Sequence, residues 1–131
     1  MKSMARTFDV AGDLESVADY VATLPRLSHP ATLGGNATAG EQVYTTVCAG
    51  CHFQGAVGFE ASQAPPLVGQ HDWYMLAQYQ KYLRGWRGTH PDDVWGGTMQ
   101  ESTARASETQ AMDAIAYIQT LPIAGPPAGT Q

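Results

Sequence analysis

Cys48-Ala49-Gly50-Cys51-His52 sets two thiols three positions apart with an imidazole directly after the second. At that spacing each thiol can add across one vinyl group of a single porphyrin while the histidine reaches the iron, so the run reads as a covalent c-type haem attachment site. The chain has 131 residues and 2 cysteines, which leaves no second pair to complete a four-cysteine zinc or iron–sulfur site. A thioredoxin-like couple would sit in a βαβ pattern, and none is visible. A zinc site would need two of His29, His52, His71 and His90 beside the cysteines, and no two of these have finger-like spacing. A structural disulfide across so short a loop would be unusual.

The elements that must position this motif are helical. Thr38-Ala39-Gly40-Glu41 has the form of a capping box and predicts a short helix in which Gly40, Val43, Tyr44 and Val47 run into Cys48. Asp72 is the expected N-cap of a second helix to about Arg84, with Trp73, Leu76, Ala77, Gln80 and Leu83 on one face and Gly85 as its stop. Ser107-Glu108-Thr109-Gln110 is another capping box. It opens a helix with Ala111, Ala114, Ile115 and Ile118 on one face, ended by Pro122. No convincing alternating strand is present. Asn36-Ala37-Thr38 matches a glycosylation pattern, read here as coincidence.

The first residues repeat the last helix. Leu14, Val17, Ala18 and Val21 share the spacing of Ala111, Ala114, Ile115 and Ile118, and Tyr20 and Thr23-Leu24-Pro25 match Tyr117 and Thr120-Leu121-Pro122 in register. Met4 also precedes the first helix much as Met99 precedes the last. The expected organisation is therefore residues 1–27 as the C-terminal helix of a preceding module, 28–37 as a linker, 38–122 as a haem domain and 123–131 as a flexible tail.

Composition sets the outer limits. With 44% apolar and 15% charged residues the chain is globular, and its 14 glycines and 8 prolines imply many loops around one core. A net charge of −5 disfavours nucleic acid and suits a partner with a basic docking patch. No run of 18 apolar residues spans a bilayer, and Met1 to Asp9 lack the apolar stretch of a secretory signal. Because bacterial covalent haem attachment takes place outside the cytoplasmic membrane, the haem reading implies an export signal upstream of Met1. It also implies a periplasmic location or one on the outer face of that membrane.

Taken together, these residues resemble a class I cytochrome c: a first helix, C-x-x-C-H, a Pro-x-Leu segment, a middle helix, a methionine-bearing loop and a last helix, covering essentially all of 37–122. Ala64-Pro65-Pro66-Leu67-Val68-Gly69-Gln70 with the helix after it looks most like one half of a tandem di-haem bacterial cytochrome c. Similar modules are fused to cytochrome oxidase subunit II. The resemblance implies an all-α fold of short helices wrapped around one haem c bound through Cys48 and Cys51, with an extra N-terminal helix. It makes His52 the proximal ligand, the Pro65 carbonyl the acceptor from its Nδ1, and Leu67 a contact of the porphyrin. Gly40 would permit a close helix crossing, and Tyr44 would meet Tyr117.

Met99, in a Gly96-Gly97-Thr98-Met99 loop ahead of the last helix, is the expected sixth ligand, with His90 as the main rival. Met75 and Met112 read as core. Trp73, Trp86 and Trp95 read as haem-edge or core residues, Arg84 and Arg87 as propionate partners or helix ends, and His29 and His71 as surface. The implied function is one-electron transfer in a bacterial respiratory chain, not catalysis, with another cytochrome c domain, an oxidase or a dehydrogenase as partner. The alternative is a haem enzyme or gas sensor with a displaceable distal ligand. A homodimer through the N-terminal helix is a further expectation.

Overall fold

A computed structural model describes residues 12–25 and 27–123. The expectations for Met1, Met4 and the tail beyond residue 123 lie outside those residues. Six α-helices are described: α1 Asp13–Thr23, α2 Ala37–Val43, α3 Ala49–His52, α4 Asp72–Leu83, α5 Val94–Thr103 and α6 Glu108–Ile118. A π-helical turn, Tyr44–Cys48, joins α2 to α3, and a 3-10 turn spans Glu60–Ser62. The described residues contain no strand, only one antiparallel bridge between Phe59 and Ala64. The fold is all-α.

The main crossing is α2 on α6. Gly40 makes it possible: a Cβ there would overlap the backbone carbonyl of Asp113, so only a residue without a side chain lets the two helices touch. Around the crossing Tyr44, Val68, Met75, Ala114, Ile115 and Ile118 form a common buried cluster. Tyr44 is completely buried, its ring centroid is 5.6 Å from that of Tyr117, and its hydroxyl donates to the Phe53 carbonyl at 2.6 Å.

Two helix starts differ from the sequence reading. The cap of α2 is Asn36, not Thr38: the Asn36 side chain accepts from the N–H groups of Thr38 and Ala39, so the glycosylation-like pattern is a helix cap. Asp72 does not cap α4 in the usual sense, because His71 is the N-cap residue and makes no side-chain cap. The Asp72 carboxylate is buried and accepts from the Thr32 and Leu33 N–H groups, the Thr32 hydroxyl and the Trp73 N–H. These long-range donors outcompete a local cap and tie the segment before α2 to the start of α4. The same segment stacks His29 on His71 with centroids 3.6 Å apart, and its Asn36 N–H donates to Asp113 at 2.7 Å. The stretch read as a linker is thus fastened to the domain at His29, Thr32, Leu33 and Asn36.

The other ends follow the sequence. Gly85, at φ 70°, stops α4, and the Trp86 N–H returns to the Lys81 carbonyl. Ser107 and Gln110 complete the reciprocal capping box of α6. By contrast, α1 buries none of its residues; Val21 is 56% exposed where its counterpart Ile118 is 4% exposed.

Candidate haem site

The C-x-x-C-H run is positioned by a widened helical turn. At the end of the π-helical segment the Ala49 N–H bonds the Tyr44 carbonyl five residues back. The β-branched pair Thr45 and Thr46 favours this departure from α-geometry, because their hydroxyls take the Glu41 and Gln42 carbonyls at 2.8 and 2.7 Å. Such turns commonly mark functional sites. Phe53, at φ 66°, then ends α3 directly after His52.

His52 is buried, and its Nδ1 lies 2.9 Å from the Pro65 carbonyl oxygen. A carbonyl can only accept, so Nδ1 carries the proton and Nε2 carries a lone pair. Burial lowers the imidazole pKa and the Pro65 bond only partly opposes it, which keeps the ring neutral at pH 7. A neutral ring with one nitrogen fixed by a carbonyl is the usual arrangement of a ligating histidine.

The acceptor itself is placed by a tight loop. The Gly58 N–H donates to the His52 carbonyl at 3.1 Å, and Phe59 pairs with Ala64. Gly58, at φ 83°, lies so near the Ala64–Pro66 backbone that a Cβ would come within 2.6 Å of the Pro66 nitrogen. Further along, the Leu67 and Val68 N–H groups both return to the Ala56 carbonyl. Sequence reasoning did not single out Gly58 or Ala56; the two glycines Gly55 and Gly58 just after the motif were the available signal.

Cys48, Cys51, His52, Leu67 and Met99 all line one cavity of about 520 Å³, and Pro65 contributes to its rim. Its remaining walls are mainly apolar, including Val43 from α2, Val47 from the π-helical turn and Ala111, Ala114 and Ile115 from α6. No disulfide joins Cys48 to Cys51. Burial, with Cys51 beside it, pushes the Cys48 thiol up to about 11. That is the opposite of the exposed, low-pKa thiolate that disulfide exchange requires. Among the described residues no three His, Cys, Asp or Glu side chains gather as a metal cluster. A large apolar cavity with two adjacent thiols and one bare imidazole nitrogen on its wall fits a covalently held porphyrin.

Three expectations need correction. Met99 lies within helix α5, not in a loop: Asp93 caps that helix through the Gly96 N–H, and Gly96 is buried where it packs against the backbone of Gly88. The lack of a side chain at Gly88 admits the Gly96 carbonyl, and the lack of one at Gly96 leaves room for the Asp93 carboxylate that caps the helix. The stripe assigned to α4 is also displaced in part, although Leu76 packs against the core as expected. Trp73 is 53% exposed and Leu83 is exposed, whereas Met75, Tyr79 and Tyr82 face the cavity. The cavity face of α4 mixes tyrosine, glutamine and methionine, so hydrophobicity alone did not mark it. Finally, none of the three tryptophans is core: Trp95 borders the cavity, while Trp73 and Trp86 stand in solvent.

Met75 is both core and cavity wall, and Met112 is not among the lining residues. His90 does not line the cavity; it is exposed beside Asp92, whose N–H donates to its Nδ1 at 3.2 Å. Arg87 lines the cavity, donates to Gln78 at 2.8 Å and lies over the Tyr82 ring, whereas Arg84 lies over Trp86 outside it.

The family model described as Cytochrome c matches residues 37–122. The chain belongs to the cytochrome c family. As a class I cytochrome c domain it is an electron-transfer haem module, and membership implies covalent haem c at the C-x-x-C-H motif. This cytochrome c is similar to the thiosulfate dehydrogenase (TsdBA) from Marichromatium purpuratum in its as-isolated form, with 28% identity and a TM-score of 0.64. The match covers 86% of this chain and 25% of that one, so the cytochrome c spans about a quarter of that protein's length. A comparison with curated proteins finds no match. Among the described residues, no helix of this cytochrome c is long and apolar enough to cross a membrane.

Proposed function

We propose that this domain carries single electrons on one haem c held by thioether bonds from Cys48 and Cys51, with His52 and Met99 as its axial ligands. The observation that carries this reading is that His52, with Nδ1 committed to Pro65, and Met99 contribute from two separate helices to the same apolar cavity. Bound haem supplies an iron that alternates between ferric and ferrous states. The chain contributes everything around it. The Pro65 carbonyl orients the imidazole and raises its basicity, and the neutral thioether of Met99 favours the reduced state. Leu67 and the α6 face would exclude water from a bound haem, and with His52 and Met99 both holding its iron no position would remain for substrate.

The likeness to a quarter of a thiosulfate dehydrogenase supports reading the domain as the electron-carrying part of a larger oxidoreductase. Its proposed place is a respiratory chain outside the cytoplasmic membrane, where bacterial haem c is attached. The repeat of α6 in α1, and the exposure of the matching face, support residues 1–27 as the end of a preceding haem module. That face would pack on such a module, or on a second copy of this chain.

The test is the Met99→Ala variant of the haem-loaded protein. It should lose the low-spin methionine-ligated spectrum and bind carbon monoxide rapidly when reduced, whereas the unaltered protein should not. An unchanged spectrum would overturn the Met99 assignment; rapid, stoichiometric binding by the unaltered protein would favour a sensor or peroxidase.

A further inference from the structure

Helix α5, which carries Met99, buries only Gly96 and Thr103. No large apolar side chain anchors it, so its position depends on how its ends are fastened. At the first end, Asp93 accepts from the Gly96 N–H at 2.9 Å and Gly96 packs on Gly88. At the second, the hydroxyl of Tyr79 from α4 donates to the Thr103 carbonyl at 2.9 Å and shares its proton with the Ala106 carbonyl. Last-turn carbonyls have no partner within their own helix, so Tyr79 supplies one and joins it to the turn that leads into α6. Thr103 is itself buried, with its hydroxyl on the Gln100 carbonyl at 2.6 Å. It stands four residues after Met99, on the same side of the helix.

We propose that Tyr79 is a positioning residue for Met99: its hydroxyl fastens the free end of α5 to α4 and thereby holds the thioether in the cavity. The proposal rests on the reading of Met99 as distal ligand. Burial raises the Tyr79 phenol, with Glu108 adding to the effect, so the group stays a donor across the neutral range. Without the hydroxyl, the Thr103 carbonyl at the α5 end and the Ala106 carbonyl in the turn beyond it lose this donor, and the helix departs from its seat more often. An added ligand that competes with Met99 then gains apparent affinity in proportion to the open fraction.

The experiment is an imidazole titration of the ferric, haem-loaded protein, comparing the unaltered chain with Y79F, Y20F and M99A. Tyr20 is exposed on α1 and does not line the cavity, so Y20F controls for loss of a tyrosine hydroxyl away from the site. Y79F should bind imidazole about 3- to 10-fold more tightly, the range expected for loss of one buried hydrogen bond, with Y20F within about twofold of the unaltered protein. Unchanged affinity in Y79F, or an equal gain in Y20F, overturns the proposal. If M99A leaves the ferric spectrum unchanged, the ligand assignment fails and the proposal falls with it; if M99A alters the spectrum while Y79F is silent, only the role of Tyr79 fails. A second measurement needs no variant. The Tyr79 hydroxyl proton should give a slowly exchanging resonance close to Thr103 in the unaltered protein, and its absence would equally overturn the proposal.

Discussion

The carboxylate of Asp72 accepts a hydrogen bond from the Leu33 N–H at 2.9 Å across 39 positions of sequence, and it does so while almost wholly buried. Burial by itself would raise its pKa, but the bonds from Thr32, Leu33 and Trp73 prevail and hold the carboxyl below its usual range. A carboxyl depressed in the folded state contributes its full stability above the unfolded pKa of about 3.9 and loses it as pH falls through the folded value. Unfolding by urea should therefore show stability falling as pH drops below about 4. Asp72→Asn should cost about 1.5–3 kcal/mol at pH 7, the range for hydrogen bonds to a charged group, and should flatten that acid limb.

Gly40→Ala should be among the most damaging conservative changes. The added methyl meets the Asp113 backbone carbonyl, which cannot turn aside as a side chain could, so α2 and α6 must separate. A loss of about 1–3 kcal/mol or more is expected in denaturant unfolding, as for overpacked cores. A smaller effect than that of an exposed-site substitution would mean the helices do not cross as closely as described.

Gly58→Ala tests the loop that presents the Pro65 carbonyl. A Cβ at Gly58 pushes on Ala64 and Pro66, on either side of that carbonyl, and the backbone φ of 83° disfavours any side chain. The His52 Nδ1–H resonance should shift and its exchange with solvent should quicken, while the helical content of the protein stays the same.

Matching positions of the internal repeat should respond differently. Ile118→Ala removes a buried side chain and should cost about 2–5 kcal/mol, whereas Val21→Ala on exposed α1 should stay within about 0.5 kcal/mol in the isolated chain. If α1 packs on a second copy, sedimentation should show concentration-dependent association that Val21→Asp abolishes.

Much of the architecture was readable because it depends on local chemistry. The Ser107–Gln110 box, the stop at Gly85 and the apolar face of α6 are spelled out within a few residues of where they act. The His52–Pro65 bond was expected through family resemblance, and the geometry places those atoms together. Asn36 is masked as a cap because Thr38 offers a better-known pattern two residues later. Asp72 reads as a cap because its main partners, Thr32 and Leu33, lie far away along the chain.

By itself the sequence determined the C-x-x-C-H motif, the all-α class and the family, since each rests on residue types at short, fixed spacing. Tertiary structure alone decided that Met99 rides on a helix, that Tyr79 fastens that helix and that the stretch before α2 is docked. Those outcomes depend on which backbone groups remain unpaired after the helices pack. Gly96 against Gly88 and Tyr79 against Thr103 are contacts between segments, and spacing along one segment carries no record of them.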